Sequence, residues 1–171
     1  MKTCLSLLVL LLSLPVFARP PEDVVRQVYS THLRRNSLEK TVAEVPKCFT
    51  PGFLGVIKRA LARTPQSGGS YVDADFFVNS QGGWGDYKVG PASITGKDAV
   101  VPITLWTGLR SEAVRTDPVK RKSWPTTQAK VYLTDVGDGF QIHDLEFLPR
   151  AGEKFSFRVR PWLEGIASGK R

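Results

Sequence analysis

QAKVYLTDVGDGFQIHDLEFL, Gln128 to Leu148, is the stretch that decides the fold class. Gln128 to Val136 and Phe140 to Leu148 read as two strands joined around Gly137-Asp138-Gly139, residues that tolerate the positive φ a tight hairpin requires. The second strand carries a phase slip. Phe140 and Ile142 are in step, Leu145 and Phe147 are in step, but the two pairs are offset by one residue. Because side chains alternate faces along a strand, an uncorrected slip would turn half of the apolar set to water. A bulge near His143-Asp144 restores the phase and bends the sheet.

Working outward, Lys97 to Thr107 alternates Ala99, Val101, Ile103 and Leu105 against Val100, Pro102, Thr104 and Trp106. Pro102 predicts an edge strand or a bulge, since it has no amide hydrogen for a ladder. Gly96-Lys97 turns this strand back on a preceding one, Tyr87 to Thr95. Phe155, Phe157 and Val159 alternate with Lys154, Ser156, Arg158 and Arg160, which predicts another strand. Pro161 then opens a last short helix with Trp162, Leu163 and Ile166.

Before Tyr71 the period is helical. Pro20-Pro21-Glu22-Asp23 opens a helix with proline and acids in the first turn. Val25, Val28, Tyr29 and His32, widened by Val24 and Leu33, form its apolar stripe, and it frays near Asn36. A short amphipathic piece through Leu38, Val42 and Val45 stops at Pro46. Thr50-Pro51 caps a further helix bearing Phe53, Ile57 and Leu61, with Arg59 and Arg63 at its negative end and Thr64-Pro65 after it. Helices first and hairpins after predict an α+β domain, its N-terminal helices packed on one face of a curved antiparallel sheet. The one long connection, Gly108 to Pro125, reads as an extended arm or loop.

The chain has 171 residues, is 42% hydrophobic and 23% charged, and sets 24 Lys and Arg against 16 Asp and Glu for a formal +8. Residues 1–18 read as an export leader: Lys2, an apolar run from Leu5 to Leu14, then small residues at Val16 and Ala18. The run is too short for a permanent membrane span. Without it, 153 residues and +7 remain, since Lys2 is its one charged residue. That length suits one domain with one core. The expected location is therefore periplasmic or extracellular. Cys4 leaves with the leader, so Cys48 is the one cysteine of the exported chain, expected as a small buried hydrophobe; an intermolecular disulfide or a reactive thiol beside Lys47 is the sharper alternative.

The order Val24-Val25-x-x-Val28-Tyr29, Asp73-Ala74-Asp75-Phe76-Phe77-x-x-x-Gln81, hairpins, and Phe140-x-Ile142-x-Asp144-Leu145-x-Phe147 resembles the DUF3828 family of small exported bacterial proteins. The resemblance spans nearly the whole exported chain and implies an NTF2-like (cystatin-like) cone. The sequence departs from the family pattern after Gln81, where Gly82-Gly83-Trp84 stands in place of an acidic residue.

Such a cone encloses an apolar cavity, and Tyr29, Phe53, Trp84, Trp106 and Tyr132 are the aromatics expected to line it, with Gln81 as a polar partner. Core packing is the competing role for each. Asp73 and Asp75 flank apolar Phe76-Phe77, so a partly desolvated carboxylate there would serve as a general base of an isomerase or dehydratase; the competing role is a turn former. His32 and His143 read as satisfied core or boundary histidines. No metal-ligand spacing, phosphate loop or nucleophile elbow is present, so no metal or cofactor is expected. The basic excess gathers at Arg34-Arg35, Lys120-Arg121-Lys122, Arg158/Arg160 and Lys170-Arg171. It suits an anionic envelope partner better than nucleic acid, for which no recognition module appears. The first expectation is a non-catalytic domain that binds a small apolar ligand in its cone or an anionic partner on its basic face. A cavity enzyme is the alternative, and an immunity-type interaction module the third.

Overall fold

A computed structural model describes residues 19–63, 70, 72, 74–80, 84–107, 126–149, 152 and 154–170. Residues 1–18, Asp73, Gln81, Lys120, Arg121, Lys122 and the 108–125 connection lie outside the described residues, as does the side chain of Trp84.

Helix α1 spans Pro21–Arg35, with Glu22 and Asp23 at its positive end and His32, Arg34 and Arg35 at its negative end. It stops at Asn36, whose φ of 49° is left-handed and whose N–H donates to His32 O at 2.8 Å. Ser37 then caps α2, Leu38–Glu44, by accepting from Lys40 N at 3.3 Å. A 3-10 turn, Pro46–Cys48, leads to α3, Pro51–Ala62, capped by Thr50 Oγ1, which accepts from Phe53 N at 3.4 Å. No described helix is long and apolar enough to cross a membrane.

Six antiparallel strands follow among the described residues: β1 Trp84–Val89, β2 Ser93–Thr95, β3 Asp98–Thr107, β4 Thr126–Asp135, β5 Phe140–Phe147 and β6 Phe157–Arg158. The sheet order is β1-β3-β4-β5-β6, with β2 beside β3. Helix α4, Val159–Ala167, closes the described chain. The architecture is α+β, with an open sheet covered by helices. Ala99, Val101, Ile103 and Leu105 of β3 meet Ala129, Val131 and Leu133 of β4 and Ile142, Leu145 and Phe147 of β5 in one core with Val24, Val28, Phe53 and Ile57 of the helices.

Three sequence expectations change. Tyr87 to Thr95 is not one strand, because Gly90, Pro91 and Ala92 separate β1 from β2. Pro102 does not mark an edge or a bulge: β3 has β4 on one side and β1 with β2 on the other. Pro102 O accepts from Gly90 N at 2.8 Å, so the proline nitrogen faces the gap where β1 has ended and β2 has not begun. The missing N–H falls where no ladder partner is needed. Finally, the strand expected through Phe155 to Arg160 shrinks to two residues, and α4 starts at Val159 instead of Pro161. Phe155 is 84% exposed and packs against nothing in the core.

The bulge lies where the phase slip puts it. Tyr132 pairs with Asp144 and Leu133 with Ile142, leaving His143 as the extra residue.

Candidate functional site

Asp75 sits at the start of a tight turn. Its Oδ1 accepts from Phe77 N at 3.0 Å, and its backbone joins Ser80 and Val78. The turn drives Phe76, Phe77 and Val78 into the core. Oδ2 lies 2.6 Å from His32 Nε2 on α1, while His32 Nδ1 lies 3.0 Å from Thr41 Oγ1 on α2. Thr41 donates its one hydroxyl proton to Ser37 O at 2.7 Å. The Nδ1 contact therefore runs from Nδ1–H to Thr41, and Nε2 faces the carboxylate. Both Asp75 oxygens and both His32 nitrogens are engaged, which is the arrangement of a pin between α1, α2 and the turn. Asp75 has the turn-forming role, and His32 is a fully buried, satisfied histidine.

Tyr29 is also fully buried. Its hydroxyl donates to Phe77 O at 2.9 Å, and burial pushes the phenol far above its ordinary range, helped by the charge of Asp75. Its ring packs edge-on to Phe77, with centroids 6.2 Å apart. Phe49 joins Phe53 and Phe77 in the same cluster. Trp106 and Tyr132 alternate out of phase with the buried residues of β3 and β4, so they occupy the opposite face of the sheet from Tyr29 and Phe53. The aromatics expected around one cavity are thus divided between two sides: Tyr29 and Phe53 pack the core, and Tyr132 and Trp106 lie on the far face.

On that far face the bulge builds a second cluster. Asp144 is 3% exposed yet fully bonded: Oδ2 accepts from Arg158 Nε at 2.8 Å and Nη2 at 2.5 Å, and Oδ1 accepts from Leu145 N at 2.7 Å and Arg160 N at 2.9 Å. The Arg160 N–H belongs to the first turn of α4, so the carboxylate captures a helix N-terminus 16 residues away. Arg158 lies 4.4 Å from the Tyr132 ring centre, and the Tyr132 hydroxyl donates to Glu146. Burial and the bond to Glu146 raise the phenol; the bonds from Tyr132 and Ser156 lower the Glu146 carboxyl. Burial lowers His143, outweighing the charge of Asp144 beside it.

A pocket of about 510 Å³ opens between the start of α1, the 3-10 turn and the β4–β5 hairpin, lined by Arg19, Val24, Lys47, Val136, Asp138, Gly139, Phe140 and Gln141. Gly139, at φ 121°, holds a backbone conformation that favours glycine and lies against Arg19, whose N is 3.5 Å from where a Cβ would stand. The Arg19 guanidinium donates to Gln27 Oε1 at 2.5 Å and Asp23 O at 3.1 Å. Beneath it, buried Cys48 places Sγ 3.1 Å from the same Gln27 oxygen; burial raises the thiol, and Arg19 partly offsets this. Gln141 differs from every polar group described above. Its Oε1 is buried with no hydrogen-bond partner.

Among the described basic groups, Arg34 and Arg35 both pair with Glu44, Arg158 with Asp144, and Arg160 with Glu164. No group of three His, Cys, Asp or Glu converges among the described residues. Comparison with family models, with curated proteins and with solved structures finds no match. Arg19, Lys47 and Gln141 were not legible as a site in the sequence, because three separate segments supply them and no periodicity marks them.

Proposed function

We propose that the chain is an exported, non-catalytic binding domain of the DUF3828 type with an NTF2-like cone, and that its ligand is a small molecule held in the Arg19–Lys47–Gln141 pocket. The observation that carries this reading is the Gln141 side chain at an open pocket, its amide oxygen closed off from solvent and without a donor. An unmet buried acceptor costs about 1–3 kcal/mol, which a ligand donor recovers once the amide turns toward the pocket. The helix–sheet interior supports a binding role less well, since Tyr29, Phe53 and Asp75 are spent on packing and on the turn. The same engagement of both Asp75 oxygens argues against a free general base there.

Native mass spectrometry of the protein purified from its own envelope tests this. A stoichiometric small-molecule adduct, lost when Gln141 is changed to Leu, is the expected result. A bare mass, with no small molecule of a broad panel perturbing residues 136–141, overturns it.

A further inference from the structure

The lining of the pocket specifies more than a small molecule, and on that binding reading we infer that it takes an acidic sugar: a single carboxylate on a polyhydroxylated ring. Charge comes first. Arg19 and Lys47, with the α-ammonium that Arg19 carries once residues 1–18 are removed, outweigh Asp138, so the pocket draws an anion. Arg19 carries more N–H groups than its bonds to Gln27, Asp23 and Cys48 use, and its guanidinium is a fork suited to carboxylate. Lys47 is exposed and adds a second point of positive charge.

Hydrogen bonding comes second. The acceptors at the pocket, Gln141 Oε1 and the Asp138 carboxylate, call for donors on the ligand. The Gln141 side chain makes no hydrogen bond, so turning its amide toward the pocket breaks none. Ring hydroxyls supply such donors and a plain carboxylate does not. Shape comes third. Val24, Val136 and Phe140 give the pocket an apolar wall, against which the C–H face of a sugar ring packs, and about 510 Å³ holds a ring of that size.

Two sources carry this chemistry, a free sugar acid and one unit of an acidic polysaccharide, and the experiment separates them. The isotope-labelled exported protein is titrated by NMR with D-glucuronate, D-glucose, acetate and a galacturonate trimer. Glucuronate is expected to shift the amides of Val136 to Gln141 saturably, with glucose and acetate at least tenfold weaker. Gln141→Leu weakens glucuronate about tenfold with a melting temperature no lower than wild type, and Lys47→Gln weakens glucuronate but leaves glucose as it was. A trimer bound tenfold or more above the monomer identifies a polymer unit; equal affinity identifies the free sugar. Equal binding of glucose or acetate overturns the acidic-sugar assignment and leaves the pocket standing. Silence of residues 136–141 toward all four probes overturns the assignment, and a native adduct of another kind then keeps the pocket reading alive on its own.

Discussion

His32 Nε2 lies 2.6 Å from Asp75 Oδ2, across 43 residues of chain. The contact ties the middle of the structure to its first helix, and it has a defined polarity. With Nδ1–H committed to Thr41, the proton of the 2.6 Å contact is the one Nε2 and Asp75 share, and without it Nε2 presents a lone pair to position 75. Asp75→Asn therefore preserves both contacts: its amide N–H donates to Nε2 and its oxygen still accepts from Phe77. Asp75→Ala loses both and strands a buried ring nitrogen, at about 2–4 kcal/mol. In a domain of this size that is a fall in Tm of about 5–10 °C. Thermal melts should place Asn close to wild type and Ala well below; equal losses would contradict the polarity.

Asp144→Ala removes the acceptor of four bonds at a side chain 4% exposed and leaves the Leu145 and Arg160 N–H groups unmet, for about 2–4 kcal/mol. The damage has an address. Amide hydrogen exchange should rise first in α4, whose first turn the carboxylate holds, and least in β3 and β4.

Burial depresses the His143 imidazole, so the unfolded chain binds the His143 proton more readily than the folded one. The stability this contributes is present above the ordinary histidine range and is lost as pH falls through the depressed folded value. Tm measured from pH 8 downward should fall through that range, and His143→Gln should flatten the fall. Glu146 and Glu44, both depressed by hydrogen bonds to their partners, add a further loss at lower pH, through the carboxylate range.

Cys48 is 2% exposed and its thiol is raised by burial, so thiolate is scarce and hard to reach. A chromogenic disulfide reagent at pH 8 should modify the native protein at least 100-fold more slowly than the chain in denaturant. Comparable rates would show an open site and restore the reactive-thiol reading.

Gly90 and Pro102 form a close approach: a Cβ on residue 90 would sit 2.9 Å from Pro102 Cγ. Gly90→Ala should cost about 1–3 kcal/mol by overpacking. Pro102→Ala removes the opposing atom, so the double variant should recover part of that loss in a denaturation cycle.

What the sequence made legible was whatever rests on local period. The apolar stripe of α1, the cap at Thr50 and the slip between Ile142 and Leu145 are written in neighbouring residues, and the structure follows them. Pro102 misled because its tolerance depends on a break in another strand. The start of α4 misled because Asp144, far back in β5, takes the Arg160 N–H and turns the chain into a helix two residues before Pro161. The pairing of His32 with Asp75 and the assembly of Arg19, Lys47 and Gln141 are equally non-local, and composition carries no trace of either.

The contact between Arg19 and Gly139 sets an order of events. Arg19 is made early, yet the surface that seats it belongs to a hairpin made about 120 residues later. The pocket between them does not close until most of the chain has been made and β4 has paired with β5. Whatever fits there engages only finished molecules, so occupancy would mark a completed chain, and a chain that stops before Gly139 is blind to it.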